Sequence, residues 1–304
     1  MENFILIILL LFSGVALRRL NIFHESAALS FNQYVIYLSL PALILIQVPK
    51  LTFSTALLTP IIMPWFMMAV SVAVVLMLSR LFAWNRSITG GLLLVVPLGN
   101  TSFLGIPMID ALFGADFIPY GVLYDQLGSF PGLTIYGAIV LAVYSGNGEV
   151  STKAIIHKII SFPPFISLLI AAIIIHQGWI LPAMATSILE RLADTLVPVV
   201  MVAVGLQLKF RLEKEYIKPL VAGLSLKLFF APLLALMVCS LLGLDSDPAR
   251  IAVFEAAMPS MITAGALAIA AGLAPDLMAA MVGMGLMTSY VTLPLWSYFL
   301  QSYM

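Results

Sequence analysis

A window of about 20 residues moved along the chain finds ten predominantly apolar runs, near 3–18, 26–48, 54–80, 87–112, 117–145, 155–176, 182–207, 217–242, 248–272 and 275–300. Each run approaches the length a helix needs to cross a hydrocarbon core, and a helix satisfies its own backbone there. The polar interruptions are short, with no low-complexity tract and no stretch long enough for a separate soluble domain. The pattern predicts an all-α membrane protein with ten transmembrane helices.

The basic residues predict its orientation. Arg18 and Arg19, Arg80 and Arg86, Lys153 and Lys158, and Lys209, Arg211, Lys214 and Lys218 follow runs 1, 3, 5 and 7. The alternate interruptions hold only Lys50, Arg191 and Arg250, and Lys227 lies inside a run. Positive charge collects on the cytoplasmic face, so both termini are expected outside, with the bacterial cytoplasmic (inner) membrane as the expected location. Residues 4–17 lack a basic segment before them and carry Arg18-Arg19 after them, so the first run is expected to remain as a helix.

Composition agrees with this reading. The 304 residues are 62% hydrophobic and 9% charged, against roughly 25% charged in a soluble domain. The formal net charge is zero, which gives no bulk attraction to nucleic acid. The single cysteine, Cys239, excludes an intrachain disulfide and is read as a packing residue. Methionines 278, 281, 284 and 287 form a loose helical stripe suited to adaptable packing.

Two landmarks recur along the chain. Pro41 in run 2 and Pro198 in run 7 are 157 residues apart, and Asn100 in run 4 and Ser260 in run 9 are 160 apart. The spacing divides the chain into five-helix repeats, 1–150 and 151–304. An odd number of helices per repeat turns the second copy upside down, so the predicted symmetry is inverted.

Within run 4, residues 98–107 read LGNTSFLGIP, polar and helix-breaking where lipid would favour neither. Asn100 is about 13 residues past the inner start of its run, or ~20 Å at the helical rise, close to the midplane. An unwound backbone there survives only where protein or water covers it. Run 9 breaks at Met258-Pro259-Ser260 at similar depth from the other side. Two broken helices meeting at the midplane would present half-helix N-termini beside free carbonyls, able to hold an anion or a cation. Gly99, Thr101 and Ser102 also suit close helix packing, and Gly105 suits packing at least as well as a site role.

Asn100-Thr-Ser-Phe-Leu-Gly-Ile-Pro107, Tyr124-Asp-Gln-Leu-Gly128, Val197-Pro198 followed by Ala203-Val-Gly-Leu-Gln-Leu208, and Glu255-Ala-Ala-Met-Pro259 resemble the hallmarks of the auxin efflux carrier family. That family includes plant auxin exporters and bacterial permeases for malonate and other organic acids, and the resemblance runs in order along the whole chain. It implies a ten-helix, five-plus-five inverted-repeat transporter, similar in plan to sodium/proton antiporters and bile-acid symporters. Helices 1, 2, 6 and 7 would form a scaffold, and helices 3–5 and 8–10 a transport unit whose broken helices 4 and 9 cross. It also implies substrate contacts at Asn100 and around Pro259. Plant carriers have proline directly before this asparagine, where Gly99 stands here, and the long cytosolic loop of some plant members is absent.

The candidate substrate-binding residues are therefore Gly99, Asn100, Thr101, Pro259 and Ser260. Pro41, Pro107, Pro198 and Pro259 are candidate helix breaks or hinges. Ionisable residues inside the runs are functional candidates because each is costly in lipid. Asp125 with Gln126, Lys227 and Glu255 are candidates for coupling or charge balance, with either carboxylate able to carry a proton and Asp125–Lys227 able to serve as a structural bridge. Asn32, Gln33, Tyr34 and His176 suit the interface, and Glu190, Arg191 and Asp194 suit a helix end in solvent.

The expected function is transport of a small organic anion, a carboxylate, by alternating access at the helix 4/9 crossing. A sodium- or proton-coupled symporter of another solute, or a non-transporting membrane receptor, remains a separate reading. No cofactor or metal site is expected; the coupling-ion candidates are a proton and sodium. The expected partners are the organic acid, the lipid bilayer and, at most, a second copy in a homodimer. No metalloprotease, phosphate-loop or Gly-x-Ser-x-Gly motif is present, and no histidine is placed to serve Ser102 or Ser260, so catalysis is not expected.

Overall fold

The structure, a computed structural model, describes residues 2–24, 26–52, 54–145, 151–208 and 214–303. Lys209 and Arg211 of the basic interruption after run 7, and the side chain of Lys214, lie outside the described residues. Among the described residues every regular element is helical. We number them α1 (Glu2–Arg19), α2 (Ala27–Lys50), α3 (Thr55–Leu81), α4 (Arg86–Val95), α5 (Thr101–Leu112), α6 (Ala115–Ser145), α7 (Thr152–Ile160), α8 (Pro163–Gln177), α9 (Ala183–Ala193), α10 (Leu196–Gln207), α11 (Ile217–Leu241), α12 (Asp247–Ala256), α13 (Ile262–Ala270) and α14 (Pro275–Tyr303).

Helices α2, α3, α6, α11 and α14 are each long and apolar enough to cross a membrane, and α7 with α8 would make a sixth span bent by 60°. Run 4 folds as α4 and α5, and run 9 as α12 and α13. Run 7 folds as α9 and α10, interrupted at Asp194-Thr195. Local chemistry explains several ends. The Asn85 side chain accepts the Ile88 N–H at 2.8 Å and caps α4. Gly178, at φ 64°, closes α8 in the left-handed conformation.

Among the described residues there are four wide, π-type turns: Val35–Ser39, Asp125–Ser129 and Leu226–Phe230 interrupt otherwise regular helix, and Thr101–Gly105 begins α5. Each ends two residues before a proline, namely Pro41, Pro107, Pro131 and Pro232. A proline ring crowds the carbonyl four residues earlier and supplies no N–H to it, and a wider turn relieves that conflict without ending the helix. Thus α2 continues through Pro41. Pro198 instead falls in the first turn of α10, where a missing N–H costs little.

The chain forms two compact units, each drawing segments from both halves of the sequence. One gathers 1–53, 102–122 and 157–208. Within it, α1 and α10 meet at glycines: a Cβ on Gly205 would stand 2.9 Å from the Gly14 Cα and 3.0 Å from the Val15 nitrogen. The Arg18 guanidinium donates to the Leu208 carbonyl, and the Ser39 and Thr195 hydroxyls bond at 2.7 Å.

The other unit gathers 54–101, 123–156 and 209–304. Its core joins Val75, Leu92–Val96, Val140, Leu220, Ala268, Leu277, Met278 and Met281. The methionine stripe contributes where glycine leaves room: Met278 meets Gly91, and Met281 meets Gly223. Cys239 is fully buried and unpaired.

Candidate functional site

The site lies within the second unit, where the breaks of runs 4 and 9 supply each other's missing backbone partners. After α4 ends at Val95 and α12 at Ala256, the Asn100 N–H donates to the Pro259 carbonyl at 2.8 Å, and the Met261 N–H donates to the Leu98 carbonyl at 2.9 Å. Gly99 and Ser260 face each other as an antiparallel bridge. Backbone groups that neither helix can satisfy are thus paired away from water. What stays unpaired is side-chain chemistry: the Asn100 Nδ2 and the Ser260 hydroxyl are buried with no hydrogen-bond partner.

The ionisable candidates surround this crossing. Asp125 accepts from the Thr101 hydroxyl at 2.5 Å on Oδ1 and from the Gln126 Nε2 at 2.6 Å on Oδ2. It is therefore held as a hydrogen-bonded acceptor on both oxygens. From α11, the Lys227 Nζ comes to 3.1 Å from where a Cβ on Gly99 would be. Glycine at 99 leaves the amine its place. Glu255, in the last turn of α12, is fully buried, and neither carboxylate oxygen has a hydrogen-bond partner. Its charge and that of Lys227 are close enough to interact.

Some of these groups border a small cavity. Ser71, Gly99, Thr101, Ser129, Lys227 and Glu255 contribute to its wall, and its volume is ≈ 10 Å³, about the space one water needs. Gly99, Asn100, Thr101, Asp125, Gln126, Lys227, Glu255, Pro259 and Ser260 thus fall in one compact unit. Pro41, Pro107 and Pro198 belong to the other.

Two residues of the site go unannounced in the sequence pattern. The carbonyls of Leu127 and Leu228 lose their α-helical donors to Pro131 and Pro232. Each finds an indole instead: Trp65 Nε1 donates to the Leu127 carbonyl at 2.8 Å, and Trp296 Nε1 to the Leu228 carbonyl at 3.0 Å. These are the wide turns that carry Asp125 and Lys227. Beside Trp65, the Pro64 ring fills the position that a Gly128 Cβ would occupy. A proline within the span signals a freed carbonyl four residues before it, but nothing local signals which distant tryptophan covers it.

Several long apolar helices and a buried polar crossing of interrupted helices point to an integral membrane protein. The family model described as "Membrane transport protein" matches residues 1–297. The chain belongs to this family, that of the auxin efflux carriers. An uncharacterized transporter of Methanothermobacter thermautotrophicus is 28% identical over 300 residues, 97% of each chain. Another, of Methanocaldococcus jannaschii, is 24% identical over 309 residues, covering 99% of this chain and 98% of its own.

Proposed function

We propose that the protein moves a small organic anion, a carboxylate, across the cytoplasmic membrane by alternating access at the crossing of the two interrupted helices. The observation that carries this reading is the buried Lys227 amine beside Gly99, in a unit where the Asn100 Nδ2 and the Ser260 hydroxyl are buried with no hydrogen-bond partner. A carboxylate entering there would gain a charge-assisted hydrogen bond from Lys227 and neutral ones from Asn100 and Ser260. The N-terminus of α13 adds partial positive charge.

In this reading the chain is a ten-span protein of two inverted five-helix repeats, 1–150 and 151–304, with both termini outside. The matching offset of the two helix breaks supports the repeat. Helices 1, 2, 6 and 7 would serve as the scaffold, and helices 3–5 and 8–10, which include the crossing, as the moving part.

Thermal-shift and calorimetric screening of mono- and dicarboxylates, with and without sodium, tests the substrate class. Asn100→Ala should weaken binding about fivefold, the worth of one neutral hydrogen bond, and Lys227→Met about tenfold to a hundredfold. Wild-type affinity in both variants would remove the crossing from the site. Counterflow in proteoliposomes separates a carrier from a receptor, since a receptor binds ligand without protein-dependent flux.

A further inference from the structure

We propose that Glu255 holds the exchangeable proton of this site as a neutral carboxylic acid, and that the proton on Glu255 and an anion on Lys227 bind cooperatively. The cooperative half rests on the carboxylate reading above; the proton itself does not.

The two buried carboxyl groups have opposite environments. Asp125 receives a hydrogen bond on each oxygen, from Thr101 and from Gln126. Those donors suit an ionised acceptor. Glu255 receives none on either oxygen and is fully buried. An ionised carboxylate without hydrogen bonds in a buried site is costly enough that the group takes up a proton instead. Two oxygens with no donor aimed at them thus mark the carboxyl that the fold has not arranged to keep ionised.

The charged and titratable groups facing Glu255 complete the argument. Asp125 and Tyr124 face it from α6 and Lys227 from α11. Asp125 is a second negative charge, and two like charges in one buried site resist simultaneous ionisation. Lys227 is the one cation among these groups. With Glu255 neutral, Lys227 and Asp125 balance, and Lys227 can still turn to an incoming anion. When Glu255 loses its proton to water in the cavity it shares with Lys227, the new carboxylate competes for that ammonium. Proton and anion then favour each other's binding, and by linkage the effect is reciprocal. One proton would accompany one anionic charge.

Infrared spectroscopy of the protein in lipid at pH 7 reads the proton directly. A carbonyl stretch of a protonated carboxyl is expected in wild type and absent in Glu255→Gln. Wild type labelled with carboxyl-¹³C glutamate needs no substitution, so it answers even where Glu255→Gln fails to fold: the band should move to lower frequency. A band that ignores the label, or that persists in a folded Glu255→Gln, overturns the proposal.

Malonate serves as probe for the coupling. Its affinity should fall about tenfold per pH unit once Glu255 begins to titrate in wild type and stay flat in Glu255→Gln; the same slope in both overturns the cooperative half. If no carboxylate binds at all, the substrate reading fails while the infrared result still decides the proton.

Discussion

At the scale of single residues, the crossing shows why a polar sequence in a membrane helix is expensive to alter. Thr101 donates to Asp125 at 2.5 Å inside a buried site. Thr101→Val keeps the shape and removes the donor, leaving a buried carboxylate oxygen short of a partner, at about 1–3 kcal/mol. Chemical unfolding in detergent should show that loss, and Thr101→Ser should recover most of it. Equal stability of the valine and serine variants would mean that the bond contributes nothing. Gly99 is a different case. From sequence it suits helix packing, yet its nearest neighbour is an amine, 3.1 Å from where a Cβ would stand. Gly99→Ala should therefore displace Lys227 by a few tenths of an ångström and weaken carboxylate binding several-fold by calorimetry, with little change in melting temperature. A large fall in stability with unchanged affinity would assign Gly99 to packing alone. Asn100, Thr101 and Ser260 were legible because lipid offers an amide or hydroxyl nothing. The distinct settings of Asp125 and Glu255 were not, since hydrogen-bond partners come from folding rather than from position in a run.

At the scale of elements, prolines do more than break helices. Each of four wide turns ends two residues before one, and in α6 and α11 the carbonyl so freed is covered by an indole. The sequence gives the prolines and so the strain, but the cover comes from tryptophans 62 and 68 residues away. Trp65→Phe and Trp296→Phe keep an aromatic body and remove the donor. Each should cost about 1–3 kcal/mol, the penalty of a carbonyl left without its partner. Hydrogen exchange read by mass spectrometry should localise the damage: Trp65→Phe should speed exchange across the turn that holds Asp125, and Trp296→Phe across the turn that holds Lys227. Uniform change along the chain in both variants would show general destabilisation instead of local bracing. The same reasoning explains why runs 4 and 9 divide while run 2 does not. Run 2 meets its proline with a wide turn. Runs 4 and 9 leave the helix outright and pair their loose backbone with each other.

At the scale of the whole molecule, the apolar runs made the class of protein legible, but not which runs would be single helices. Among the described residues five helices are long and apolar enough to cross a membrane by themselves: α1 is short and carries Glu2, Arg18 and Arg19, run 6 bends by 60° between α7 and α8, and runs 4, 7 and 9 are interrupted by polar or proline-bearing stretches that averaging over a window smooths away. Each compact unit draws on both sequence halves, so neither half is a unit by itself. That interleaving is what repeats exchanging helices would produce, and it makes the parity of the spans the decisive property. The proposed ten spans with an internal inversion would put both termini on one side, and the arginine and lysine bias predicts that side to be outside. Cys239 is the only cysteine and is buried, so Cys239→Ala provides a cysteine-free background. On it, Asn3→Cys and Ser302→Cys replace exposed residues near the two ends, and Lys158→Cys an exposed residue of the basic interruption after run 5. In intact cells, a membrane-impermeant maleimide should label positions 3 and 302 and should reach position 158 only after the membrane is permeabilised. Labelling of one terminus alone would mean an odd number of spans, and the inverted repeat would fall with it. Labelling of 158 alone would keep the parity and reverse the orientation. The crossing would then be unchanged, but a proton and an anion carried together would enter it from the opposite side.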